Sequence, residues 1–252
     1  MYDRIQERLK EIEKQQGFHI IYAAESGSRA WGFASADSDY DVRFIYKWRE
    51  TDYLSIYSPT DQLDLGVDRE NLDFSGWDLR KSLALFRKSN GALMEWLHSP
   101  IVYFEDEPIM NRWRDLIPDF FVPGYTAAHY LGLSRKLWLD SKEKSRITAK
   151  RYLYILRALL SARYIIETNS PAPVEFSQTL ALLKLPPHAV DSIESIIATK
   201  ALQKEADRIQ RNSILDELIE SSLNELSPKV EALAREPGSS EVLDNFFRSS
   251  LL

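Results

Sequence analysis

The chain has 252 residues, 44% of them hydrophobic, which is enough to build a real core, and a formal net charge of -6 that argues against indiscriminate binding to nucleic acid. It contains no cysteine, so disulfides, zinc-thiolate centres, iron–sulfur clusters and thiol nucleophiles are excluded together, and any metal must sit on oxygen or imidazole. No apolar run approaches membrane-spanning length and the N-terminal residues have no signal-like hydrophobic stretch, so a cytoplasmic chain with no membrane association is expected.

In chain order, residues 2–16 place Ile5, Leu9 and Ile12 at helical spacing, with Gly17 positioned to stop the helix. Residues 18–24 (FHIIYAA) and 41–46 (DVRFIY) are short, apolar and β-rich, and further strands are expected near 53–57, 62–67 and 71–75. A helix is expected from Trp77, with Leu79, Leu83 and Phe86 on one face, up to the Ser89-Asn90-Gly91 break. A second helical piece covers 92–97, and 101–104 form a last short strand. After Pro123-Gly124 the strand signals stop, and helices are expected at about 126–141, 145–168, 177–183, 189–211 and 214–226, before a loose tail from Glu236 and a final short helix. The expected fold class is α+β, with a mixed α/β domain over residues 1–122 and an all-α helical domain over 123–252. Between residues 135 and 163 nine Lys/Arg stand against two acids, about +7, so an anion-binding surface is compatible with the acidic average.

The residues that carry chemistry concentrate at 25–44, ESGSRAWGFASADSDYDVRF. Gly27 and Ser28 follow an apolar strand, where a residue without a side chain lets backbone N–H groups approach a phosphate and a hydroxyl adds a donor. Asp39 and Asp41, two apart at the mouth of the next strand, project to the same side of the sheet. Carboxylates held side by side repel each other without a cation, and Mg2+ relieves that repulsion while bridging to substrate phosphates. Two other readings fail on spacing. An EF-hand loop from Asp37 needs Gly and Glu where Val42 and Trp48 stand, and a P-loop from Gly27 needs Lys and Ser/Thr where Phe33 and Ala34 stand. Arg29 is placed either to touch a triphosphate or to pair with Glu25, and Arg43 either to neutralise the acids or to act elsewhere. Lys150, Tyr154 and Arg157 share one helix face, as a cover over a nucleotide or as a solvated basic face. The four histidines show no metal-ligand spacing.

The order G-S-R-A-x-G followed by S-D-x-D resembles the signature of the polymerase-beta-like nucleotidyltransferases, and DSDYDVR is similar to the branch of predicted bacterial nucleotidyltransferases named after YcgL. The likeness continues through Leu72-Asp73, GWDLRKSL and LFRKSNGALMEWLHSP, covering roughly residues 20–105, with a weaker match in KRYLYILR at 150–157. The resemblance implies a mixed sheet with carboxylates on neighbouring strands and two divalent metals, Mg2+ or Mn2+, held by Asp39 and Asp41. It implies transfer of a nucleoside monophosphate from an NTP donor, ATP by default, to an acceptor hydroxyl. A third carboxylate completes such a site. Asp73, in a strand-like stretch before the helix, is the choice, and Asp78 is the alternative because it could equally be a helix N-terminal residue. The acceptor is left open among an RNA end, a protein side chain and a small molecule. Two non-catalytic readings stand beside the enzyme: a nucleotide-binding sensor and an antitoxin-like interaction protein.

Overall fold

The computed structural model describes residues 1–202 and 207–251. Helix α1, Tyr2–Gln16, buries Ile5, Leu9 and Ile12 as their spacing requires, and ends where Gly17 adopts the left-handed conformation (φ 79) and its N–H returns to the Glu13 carbonyl. There follow β1 (His19–Ser26), the single turn α2 (Gly27–Ala30), β2 (Tyr40–Lys47), the short α3 (Glu50–Tyr53), β3 (Gln62–Val67) and β4 (Leu72–Asp78). Next come α4 (Leu79–Arg87), α5 (Gly91–Leu97), β5 (Val102–Glu105), α6 (Glu107–Asp115) and α7 (Ile117–Phe120). Asp78, Asn90 and Asp106 start α4, α5 and α6 by accepting backbone N–H groups of the first turn. The chain continues with α8 (Pro123–Leu139), β6 (Arg146–Thr148), α9 (Ala149–Thr168), α10 (Phe176–Leu182), α11 (Pro187–Leu202), β7 (Arg208–Gln210), α12 (Ser213–Glu231) and α13 (Ser240–Leu251).

Five strands form one mixed sheet in the order β3-β4-β2-β1-β5, in which β2 and β4 are parallel and the other neighbours antiparallel. The fold class is therefore α+β, as the pattern of elements suggests. Six consecutive residues of β1, from Ile20 to Glu25, are buried, which is why it reads as a continuous apolar run rather than an alternating one. One face of the sheet packs Val42, Phe44 and Phe74 against Ile5, Leu9 and Ile12 of α1. The other packs Ile21, Ala24 and Ile45 against Leu83, Phe86, Met94 and Trp113, and against Leu243 and Phe246 of α13.

The chain divides into two compact units: Met1–Ala30, Asp39–Phe121 and Pro237–Leu252 make the first, and Trp31–Ser38 with Val122–Glu236 make the second. Relative to a single cut after residue 122, the structure thus moves an internal segment into the helical unit and returns the tail to the α/β unit. The final short helix expected after Glu236 is α13, which runs twelve residues and buries Leu243 and Phe246. Four expectations are corrected. Residues 53–57 form no strand; β propensity without a pairing partner does not make one, and Leu54, Ile56 and Tyr57 are exposed. Helix α8 opens at Pro123, ahead of the start expected near 126, since an N–H at that first position would have no partner within the helix. The helical unit also contains a two-stranded ribbon, β6 with β7, where only helices were expected. Thr148 caps α9 from an extended conformation, and the residues before it pair with Arg208–Gln210. The helix expected over 189–211 ends at Leu202, and its residues 203–206 lie outside the described part. Helix α9 is the centre of the helical unit, with Leu153, Leu156, Leu159 and Leu160 all fully buried.

Candidate active site

The site begins with the register of two parallel strands. Asp41 on β2 lies directly opposite Asp73 on β4, so their side chains emerge on the same face of the sheet, followed two residues on by Arg43. The guanidinium of Arg43 joins them: Nη2 donates to Asp41 Oδ1 and to Asp73 Oδ2, each at 2.7 Å, and Nη1 donates to the Asp73 carbonyl at 3.0 Å. The three side chains are 18%, 26% and 20% exposed for Arg43, Asp41 and Asp73, so the cluster is accessible without being fully solvated. Of the two roles open to Arg43, neutralising the acids is the one it performs.

The second oxygen of Asp41 faces the turn at the end of β1. Gly27 has φ +60, and a Cβ added there would fall 1.9 Å from Asp41 Oδ2, so any side chain at this position would displace the carboxylate. Ser28 is buried in the same turn. Arg29 donates through Nε to the Asp39 carbonyl at 3.1 Å and lies 3.7 Å over the ring of Tyr40, which fixes it beside the acids. Asp39 is exposed and stands outside the Asp41–Asp73 pair. Asp78, at the other end of β4, is 3% exposed. Its Oδ1 accepts the N–H groups of Arg80 and Lys81, and its Oδ2 accepts the Tyr53 hydroxyl at 2.5 Å.

Among the described residues no group of three or more acidic or histidine side chains converges as a preformed metal cage. The donor set nevertheless suits a hard cation. Two carboxylates converge on one positive group, that of Arg43, and the absence of a side chain at Gly27 lets the Asp41 carboxylate pack against the turn. Asp41 and Asp73 are the residues that could hold a divalent ion here, with Asp39 available on the adjoining loop.

Two buried groups carry more than the sequence suggests, where Glu25 stands only as a possible partner of Arg29 and Lys200 has no assigned part. Glu25, 1% exposed at the end of β1, accepts the Asp41 N–H through Oε1 at 2.8 Å and the Tyr103 hydroxyl through Oε2 at 2.5 Å. Burial pushes its carboxyl above the usual range, against the lowering effect of those two hydrogen bonds. The available signal was a charged residue ending an otherwise apolar strand. In the helical unit Lys200, 2% exposed, donates to the Phe33 carbonyl at 2.9 Å and to Ser35 Oγ and Ser38 Oγ at 3.3 and 3.4 Å, fixing the Trp31–Ser38 segment against α11. Lys150, Tyr154 and Arg157 belong to that same unit. Arg157 is 4% exposed with its guanidinium 4.0 Å from the Trp31 ring, Tyr154 meets that ring edge-on at 5.0 Å, and Lys150 lies 5.7 Å from the Tyr154 ring.

Comparison with known proteins defines the class. A family model described as RlaP, RNA repair pathway DNA polymerase beta family, matches residues 1–249. The chain belongs to that family, and general nucleotidyl transfer is the activity that membership supports. It is 36% identical over 236 residues to the uncharacterized protein YcgL of Bacillus subtilis (strain 168), covering 94% of this chain and 90% of that protein. A nucleotidyltransferase-like protein from Exiguobacterium sibiricum 255-15 aligns with 90% of this chain and 75% of its own at a TM-score of 0.32 and 9% identity. No helix among the described residues is long and apolar enough to cross a membrane.

Proposed function

We propose that the protein is a metal-dependent nucleotidyltransferase that moves a nucleoside monophosphate from an NTP, ATP by default, to an acceptor hydroxyl. The observation that carries this reading is the in-register Asp41–Asp73 pair, whose carboxylates share one cation beside a glycine turn. Asp39, Asp41 and Asp73 form the acidic set. Gly27 and Ser28 present backbone and hydroxyl donors to the donor phosphates, and Arg29 adds a positive charge at the same turn. In the reaction a bond forms between the acceptor oxygen and the α-phosphorus, the bond to pyrophosphate breaks, and the acceptor loses its hydroxyl proton. Asp39, Asp41 and Asp73 would hold Mg2+ or Mn2+, which would supply positive charge to neutralise the triphosphate.

Lys150, Tyr154 and Arg157 have a narrower part in this proposal. Burial of Arg157 against Trp31 supports a role in ordering the Trp31–Ser38 segment, which leads directly into Asp39. The acceptor is proposed as a class only, a hydroxyl on RNA, protein or a small molecule, because the scaffold does not dictate it.

The test is calorimetric titration of each NTP with Mg2+ into wild type and into the Asp41→Asn, Asp73→Asn double variant. The expected result is Mg2+-dependent binding of at least one NTP that the variant loses. Binding that is independent of both metal and carboxylates, or absent in wild type, overturns the reading. NTP binding without pyrophosphate release across RNA, protein and small-molecule acceptors favours a sensor instead.

A further inference from the structure

Glu25 is an expensive residue to keep where it stands. A carboxylate that is 1% exposed loses most of its hydration, and an apolar residue of similar volume would extend the run of β1 at lower cost. Every polar group of this residue is nevertheless committed. Its N–H donates to the Ile101 carbonyl at 2.9 Å, and its carbonyl accepts the Ser99 hydroxyl at 2.6 Å. Its two carboxylate oxygens accept the Asp41 N–H and the Tyr103 hydroxyl. Tyr103, on β5, is itself 4% exposed, so the hydroxyl behind Glu25 is as immobile as the strand that carries it. The result is a chain of contacts from β5 through Tyr103 and Glu25 to the peptide of Asp41, the residue whose carboxylate faces both Gly27 and Arg43.

Such a chain has a function beyond packing only at its last member. The N–H of Asp41 meets a side-chain carboxylate, so the orientation of that peptide depends on where Oε1 of Glu25 sits. A rotation of the peptide would swing the Asp41 carboxylate away from its place opposite Asp73. Groups that orient ligating side chains in this way set metal affinity without touching the metal.

We propose that Glu25, braced by Tyr103, is a positioning residue that sets the divalent-cation affinity of the Asp41–Asp73 pair. The inference rests on the metal-dependent reading above, and its test separates the two. Mn2+ is titrated by calorimetry, in the presence of ATP, into full-length wild type and the variants Glu25→Met, Glu25→Gln and Tyr103→Phe, with the melting temperature of each recorded. Removing the acceptor in Glu25→Met is expected to weaken Mn2+ by about tenfold or more, the scale typical of lost outer-shell contacts. Glu25→Gln, which keeps an acceptor oxygen for the Asp41 N–H and whose amide can donate to the Tyr103 hydroxyl, is expected to retain most of the affinity.

A purely structural role would lower the melting temperature of Glu25→Met and leave the Mn2+ affinity of the folded protein unchanged. That result overturns the proposal and leaves the transferase reading intact. Should Glu25→Met not fold, Tyr103→Phe decides, since it keeps the ring and removes only the hydroxyl. A loss of about twofold or more in Mn2+ affinity supports the brace, and unchanged affinity overturns it. Wild type that binds neither Mn2+ nor ATP overturns the metal-dependent reading and this inference with it.

Discussion

The two ends of strand β4 carry the same residue type and treat it in opposite ways. At the first end Asp73 faces Asp41 across a parallel pair, one-fifth exposed, and shares a single guanidinium with it. At the other end Asp78 is buried, and its oxygens are committed to two backbone N–H groups and a tyrosine hydroxyl. A carboxylate whose partner is one flexible side chain can exchange that partner for a metal ion. One whose partners are a helix N-terminus and a buried ring holds a fold together. This contrast is the reason to propose Asp73 rather than Asp78 as the third acid.

The comparison can be broken most severely at Gly27. Gly27→Ala places a methyl group on the Asp41 carboxylate and puts a side chain at a positive φ, so NTP binding should fall by more than about 100-fold and stability by about 2 kcal/mol. Calorimetry and urea unfolding measure the two effects, and wild-type binding by this variant would dissociate the turn from the acids. Arg43→Met should cost about 1–3 kcal/mol, because it leaves two part-buried carboxylates facing each other. Millimolar Mn2+ should then raise the melting temperature of the variant more than that of wild type; equal shifts would mean that the pair does not take a cation.

At the opposite end, Asp78→Ala should cost about 1 kcal/mol through loss of the α4 cap while changing NTP affinity by less than about twofold. Burial there raises the carboxyl above its ordinary range, against the hydrogen bonds from Tyr53 and the first turn of α4. The native state then holds this proton more tightly than the unfolded chain, so the group favours the native state most under acid conditions. That advantage declines as pH rises from the ordinary carboxylate range through the raised value. Urea unfolding over a pH series should accordingly show Asp78→Asn gaining on wild type as pH rises from about 4 to neutrality, and a constant difference would contradict the assignment. The smallest effect is expected from Arg80→Ala. It removes a guanidinium that lies 4.7 Å over the Tyr53 ring, so stability should change by less than about 1 kcal/mol and NTP binding not measurably.

Much of this contrast was visible in the residues, because the informative parts are local. The Gly27-Ser28 turn and the Asp39-x-Asp41 spacing lie within one short segment, and Ile5, Leu9 and Ile12 declare α1 by periodicity alone. What the sequence withheld was pairing. That Asp41 meets Asp73, that Tyr103 stands behind Glu25, and that Arg146–Thr148 pairs with Arg208–Gln210 each depend on contacts between distant parts of the chain, which no local pattern encodes. The ambiguity over Asp78 had the same origin: a carboxylate before a helix is a cap or a ligand according to what lies across from it, and Tyr53 was not visible from there.

Helix α13 has a consequence in time rather than in space. Its Leu243 and Phe246 complete the packing behind the sheet, with Phe246 5.5 Å from Trp113, yet the ribosome reaches them only after making all of Val122–Glu236. The unit that carries Gly27, Asp41 and Asp73 therefore cannot finish folding early and wait for the rest of the chain. A chain interrupted before residue 240 already contains every acidic residue of the site, but it lacks the helix that closes the core beneath them. Such a product leaves open to solvent the apolar surface that Leu243 and Phe246 cover in the full chain.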